Sequence, residues 1–206
     1  MNTGETIVLA SASPRRRELL AQMGLPFVVC AAEVDESFPA GRGDFDVLCG
    51  ELARRKVEAV VDMPEVRGRR WFIGADTVVL VDGEVFGKPG DEGEARRLLR
   101  RLAGRSHEAL TGVALYDRLR GRFSLASEKS RVTFSPMSEA EIAWYAGTGE
   151  WRGVAGGYRI QGRGSRFIQR LEGNYNTVMG LPIRTMYVML RDNSYPLMGD
   201  EIFREA

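Results

Sequence analysis

The run Trp71-Phe72-Ile73-Gly74-Ala75-Asp76-Thr77-Val78-Val79-Leu80-Val81 is apolar on both faces for almost its whole length. A strand with one wet face would alternate. This one has to be covered on both sides, which predicts a central buried strand. Asp76 interrupts it. A carboxylate inside a core strand is costly unless a cation or hydrogen-bond donors meet it. Asp76 reads as a structural aspartate capping a neighbouring turn or as a functional group. The small pair Gly74-Ala75 leaves room for a close ligand and favours function. Asp82-Gly83 signals a hairpin, Glu84 to Phe86 returns, and Gly87-Lys88-Pro89 ends it. Lys88 is expected across from the Asp76 strand, within reach of the same pocket.

A second stretch carries chemistry. Ile7-Val8-Leu9 reads as a buried strand, and Ser13-Pro14 as a helix start, with Ser13 the N-cap and Pro14 at the first helical position. Between them Ser11 and Ala12 leave backbone amides uncovered. Arg15, Arg16 and Arg17 follow on the first turn, where the helix dipole discourages cations. An anion held at the turn, phosphate above all, offsets that penalty. The alternative is a solvated basic face, which suits at least one of the three.

The remaining chain reads in order. The helix of residues 14–23 ends at Gly24, and a short strand lies within 26–31. Glu33, Asp35 and Glu36 then cluster in a loop, as solvated acids or as oxygen ligands for a divalent cation. A turn at 41–44 precedes a helix from Phe45 to Asp62, with Phe45, Leu48, Leu52 and Val60 near helical spacing. Lys56 lies on the same side as Leu52, and either snorkels to the rim or reaches a pocket beside the core. A helix starts at Asp91, strands cover 106–116 and 122–134, and Ser138-x-x-Glu141 is a capping box. His107 reads as a structural strand residue. Residues 149–164 are glycine-rich and include Gln161, whose amide suits a pyrimidine edge; the alternative is a mobile loop. Residues 174–180 read as loop. Ile183, Met186, Tyr187 and Leu190 mark a last helix, and 193–206 a loose tail.

With 206 residues the chain can bury a sizeable core. A net charge of +1 argues against a dedicated nucleic-acid binder. Of 29 basic residues only Lys56, Lys88 and Lys129 are lysines, so each is worth attention where arginine is the default cation. Cys30 and Cys49 have no metal or redox spacing and read as buried thiols in a reducing compartment. Neither a signal peptide nor a stretch of membrane-spanning length is visible, so the expectation is a cytoplasmic protein.

Taken together, Ser11-Ala12-Ser13-Pro14-Arg15-Arg16, Leu52-Ala53 with Lys56, Gly74-Ala75-Asp76-Thr77, Gly87-Lys88-Pro89, Thr111-Gly112-Val113, Ile160-Gln161-Gly162 and Gly180-Leu181-Pro182 resemble the Maf family of nucleoside triphosphate pyrophosphatases. The match runs in order from about residue 7 to 190. The resemblance implies an α/β fold with a long bent mixed sheet flanked by helices, in one domain whose two lobes enclose a cleft. It implies metal-dependent hydrolysis, with Mg²⁺ or Mn²⁺, between the α- and β-phosphates of a nucleoside triphosphate. Asp76 takes the catalytic position. Ser11, Arg15, Arg16, Lys56 and Lys88 take the triphosphate positions, and Glu36, with Asp76, the metal. Thr77 and Gln161 match the branch acting on dTTP and UTP. A homodimer is also implied; the net charge and the lack of a membrane-spanning stretch lead to the expectation of no nucleic-acid or membrane partner. Trp151 and Val154 depart from the proline and lysine common in the family's late loop, which leaves Arg152 or Arg159 as a substitute cation. The rivals are a non-catalytic nucleotide-binding regulator of cell division and septum formation, and a house-cleaning enzyme for modified pyrimidine nucleotides.

Overall fold

The computed structural model describes residues 5–36 and 44–197. Ile7–Leu9 forms β1, Pro14–Gln22 α1, Phe27–Val29 β2 and Phe45–Val61 α2. Trp71–Val81 is β3, Glu84–Phe86 β4, Glu92–Leu102 α3, Ser106–Asp117 β5 and Arg122–Phe134 β6. Glu139–Gly147 is α4, Ile168–Glu172 β7, Tyr175–Met179 α5 and Ile183–Asp192 α6. Of the turn expected over 41–44, residues 41–43 lie outside the described residues, and Asp44 is the N-cap of α2. The strands form a mixed sheet in the order β2-β1-β3-β5-β6-β7, with β4 on β3. β1 runs parallel to both β2 and β3, setting Ile7 against Phe27 on one side and Trp71 on the other. β4 is antiparallel to β3, and β7 to β6. With helices interleaved between its strands, the fold is α/β. The apolar run is the strand expected: along β3 only Thr77 is less than fully buried.

The chain divides into two units. The first holds Met1–Asp76, Thr111–Glu128 and Gly180–Ala206; the second holds Thr77–Leu110 and Lys129–Met179. In the first, Ala53, Val57 and Val60 of α2 pack with Val8, Phe72 and Ala114 in one buried cluster. Each large side chain so buried contributes about 1.5–3 kcal/mol. Glycines set how closely α2 lies on the strands. A Cβ on Gly74 would stand 2.1 Å from the Ala53 carbonyl oxygen, and one on Gly112 2.3 Å from the Cys49 carbonyl carbon. The room at Gly74, expected for a ligand, is therefore filled by the backbone of α2. Arg70 grips Asp117 through Nε and Nη2, both at 2.8 Å, and tethers the start of β3 to the end of β5. Of the stretch 193–206, residues 193–197 are described. There Tyr195 is buried edge-on against Trp71 and donates its hydroxyl to the Glu5 carbonyl at 2.6 Å.

In the second unit, α3 buries Ala95, Leu99 and Leu102, and its N-cap Asp91 accepts from the Glu94 amide at 2.7 Å. The Ser138–Glu141 capping box forms as expected at the start of α4. His107 is a buried core residue, 2.8 Å from the Tyr158 hydroxyl and edge-on to Phe134. The 149–164 segment is tied down at several points. Trp151 Nε1 donates to the Ala146 carbonyl at 2.7 Å, and the Arg159 amide to the Tyr145 hydroxyl at 3.0 Å. Gly156 takes a φ of 72° and packs on Val79, where a Cβ would come within 2.9 Å of that side chain. Residues 174–180, expected as loop, contain the short helix α5, started by Asn174, whose side chain accepts from the Asn176 amide at 3.2 Å.

Candidate active site

The first unit assembles five of the predicted residues. The turn from β1 to α1 folds as its sequence requires: Ser13 is extended, and its hydroxyl caps the Arg16 amide. The buried Ser11 hydroxyl accepts from the Ser13 amide at 3.3 Å and from Arg16 Nη1 at 3.2 Å. Arg16 Nε donates to the Gly180 carbonyl at 2.9 Å. Arg16 is thus drawn back over the turn, away from bulk solvent. Arg15 is half-buried and Arg17 exposed, so one of the three arginines does lie on a wet face.

Lys56 is buried and turned toward the carboxylate of β3. Its position on α2 points it at β3, and the close approach at Gly74 shortens the distance it has to cover. Nζ lies 2.5 Å from Asp76 Oδ1, 2.6 Å from Glu36 Oε1 and 3.5 Å from the Ala75 carbonyl. Lys56 and Asp76 are 9% and 5% exposed, so the pair is shielded from water. That is the cation the buried carboxylate required. Arg16 belongs to the same electrostatic cluster. Burial lowers its pKa from the ordinary value, while the charges of Asp76 and Glu36 oppose that shift.

Cys49, on the buried side of α2, is a neighbour that the sequence did not single out. Burial and then the Asp76 charge push its thiol up to about 12. It stays protonated near neutrality and is no nucleophile. Cys30, expected buried, is half-exposed, with its sulfur 3.6 Å from that of Met63. The Gly180 carbonyl is the other contributor missed. Its signal was the Gly180-Leu181-Pro182 motif, whose backbone role cannot be read from side chains.

The second unit carries Thr77, Lys88 and Gln161. Lys88 and Gln161 are exposed and Thr77 half-buried. Arg159 is committed to its own loop, donating from Nε to the Glu150 carbonyl at 2.8 Å and from Nη2 to the Arg152 carbonyl at 3.2 Å. Arg152 stacks on the Trp151 ring at 4.7 Å. Trp151 itself is a buried anchor, which explains how the loop holds its shape with a large side chain at that place.

The mixed sheet with interleaved helices makes this an α/β protein, in whose first unit a lysine, two carboxylates and an arginine lie together. The chain belongs to the Maf family: the model described as Maf-like protein matches residues 6–193. Among its relatives is a protein of Pelotomaculum thermopropionicum named dTTP/UTP pyrophosphatase, 46% identical over 93% of this chain and 98% of its own. One of the same name in Symbiobacterium thermophilum is 47% identical over 94% of this chain and 96% of its own. Among solved structures, the Ham1 protein of Staphylococcus aureus aligns with a TM-score of 0.42 at 14% identity, covering 63% of this chain and 72% of that one. A likeness that distant carries nothing further.

Proposed function

We propose that this protein is a nucleoside triphosphate pyrophosphatase for dTTP and UTP, with modified pyrimidine triphosphates within its range, and that it requires Mg²⁺ or Mn²⁺. The observation that carries the proposal is the cluster of Lys56, Glu36 and Asp76 with Arg16 beside it. The names of close relatives support it. A triphosphate brings about four negative charges, so its site needs cations gathered from several elements. Ser11 holds Arg16 in place for one phosphate, and Arg15, Lys56 and Lys88 supply the rest. Thr77 and Gln161 choose the pyrimidine.

Glu36 and Asp76 fit a divalent cation, since both present hard oxygens that converge within 2.6 Å of one point. When bound, such an ion neutralises charge on the reacting phosphate and lowers the pKa of a water. Asp76 orients the attacking water or takes its proton, through Oδ2 while Oδ1 is engaged. The water oxygen bonds to the α-phosphorus, the bond to the α–β bridging oxygen breaks, and pyrophosphate leaves. Asp76 also weighs against a regulator that only binds nucleotide, because binding alone would tolerate the loss of that costly buried carboxylate.

The test is a pyrophosphate-release screen over common and modified nucleoside triphosphates with Mg²⁺ and with Mn²⁺. Release is expected to be fastest with pyrimidine triphosphates and to stop with chelator. Absence of release with every nucleotide and both ions overturns the proposal and leaves the regulator.

A further inference from the structure

The lysine in the cluster has nothing left to give a phosphate. An ammonium carries three donors. Those of Lys56 face Asp76 Oδ1 at 2.5 Å, Glu36 Oε1 at 2.6 Å and the Ala75 carbonyl at 3.5 Å. Two carboxylates brought to one point repel each other, and they part unless a cation stands between them. We infer that Lys56 Nζ is an internal stand-in for the divalent cation: it holds Glu36 and Asp76 converged in the metal-free protein, and is released toward substrate phosphate when the ion takes its place. The inference rests on the pyrophosphatase reading for the phosphate that receives Lys56. The holding of the two carboxylates is a property of the chain alone.

The exchange balances in charge. The carboxylate pair carries two negative charges and the ammonium one positive. A divalent ion satisfies the pair fully and frees one positive charge for the triphosphate. Lys56 is then a positioning residue before substrate arrives and a phosphate ligand afterwards. One residue serves both halves of the site because α2 lies close enough at Gly74 for its lysine to reach β3. The arrangement also predicts an order. Without nucleotide, a divalent ion has to displace a bound ammonium, so the ion alone binds weakly; the nucleotide's phosphates give the displaced ammonium a new partner and strengthen binding.

The test uses the full chain, stripped of metal, with MnCl₂ alone as probe and no nucleotide. Calorimetric titration and thermal melting compare the parent protein with Lys56→Met and with Lys56→Met combined with Glu36→Gln. The parent should melt at nearly the same temperature with chelator and with MnCl₂. Lys56→Met should melt roughly 5 °C or more lower without metal, recover with MnCl₂, and bind Mn²⁺ roughly tenfold or more tightly than the parent. The double variant should regain metal-free melting and lose the Mn²⁺ response, because removing one charge removes the repulsion. Equal or weaker Mn²⁺ binding by Lys56→Met overturns the inference. So does a double variant as unstable as the single, which would make Lys56 a packing residue. Should Lys56→Met fold only in MnCl₂ and unfold on chelation, the inference stands; failure to fold in either condition overturns it. If these results hold but the nucleotide screen yields no pyrophosphate, the pyrophosphatase reading falls and the stand-in role survives. The converse pair of results does the opposite.

Discussion

At the scale of single residues, Asp76 is the sharpest test of function. Asp76→Asn keeps the shape of the side chain and removes its charge. Turnover is expected to fall about 10²–10⁴-fold with nucleotide binding largely kept, as read by steady-state kinetics beside equilibrium titration. Comparable turnover in the two proteins would remove Asp76 from the chemistry. Lys88→Ala is expected to raise KM or lower kcat; unchanged kinetics would take Lys88 out of the site. The sequence made Asp76 conspicuous because a charge in an apolar strand is rare and expensive. It left Lys56 between two options, since a lysine on an apolar face looks the same whether it snorkels or is clamped. What decides is Glu36, twenty residues away in a loop with no regular pattern. Pairing across such a distance leaves no periodic trace.

At the scale of elements, the strands and long helices were legible because each carries its own local signal. β3 is a continuous apolar run, α1 opens on Ser13-Pro14, and α4 on a capping box. Three features had no such signal. Helix α5 is five residues long, too short for amphipathic periodicity to register. The 149–164 loop looks mobile from its glycines, yet Trp151, Tyr145 and Tyr158 pin it through partners outside it or far along the chain. Gly74 looked like space for a ligand and is space for a helix. Gly74→Ala is accordingly expected to force α2 off β3. It should cost about 1–3 kcal/mol or more in denaturant unfolding and lower activity together with stability, since Lys56 would move with the helix. An alanine tolerated at full stability would show that α2 does not depend on that contact.

At the scale of the whole molecule, acid should unfold the protein from an identifiable group. Burial lowers the His107 pKa from 6.5 to about 4, so the fold holds the ring neutral while the unfolded chain protonates it. The stability this withholds is present above pH 6.5, is lost as pH falls through the interval, and levels off below about 4. Its full size is roughly 3 kcal/mol. Asp117, held below the usual carboxylate range by Arg70, adds a loss in the same direction at more acid pH. Urea unfolding from pH 7.5 to 4.5 should show falling stability, and His107→Leu should flatten it; an equal slope in both proteins would shift the cause elsewhere. The family resemblance gave the α/β sheet from ordered motifs, whereas the division into two units follows from contacts that no local pattern encodes.

The scarcity of lysine turns the clamped ammonium into something a chemist can time. Lys88 and Lys129 are exposed and Lys56 is buried. An amine-selective acylating reagent should therefore modify two side chains promptly and the third slowly. The pace of that third acylation counts how often Lys56 lets go of its two acids.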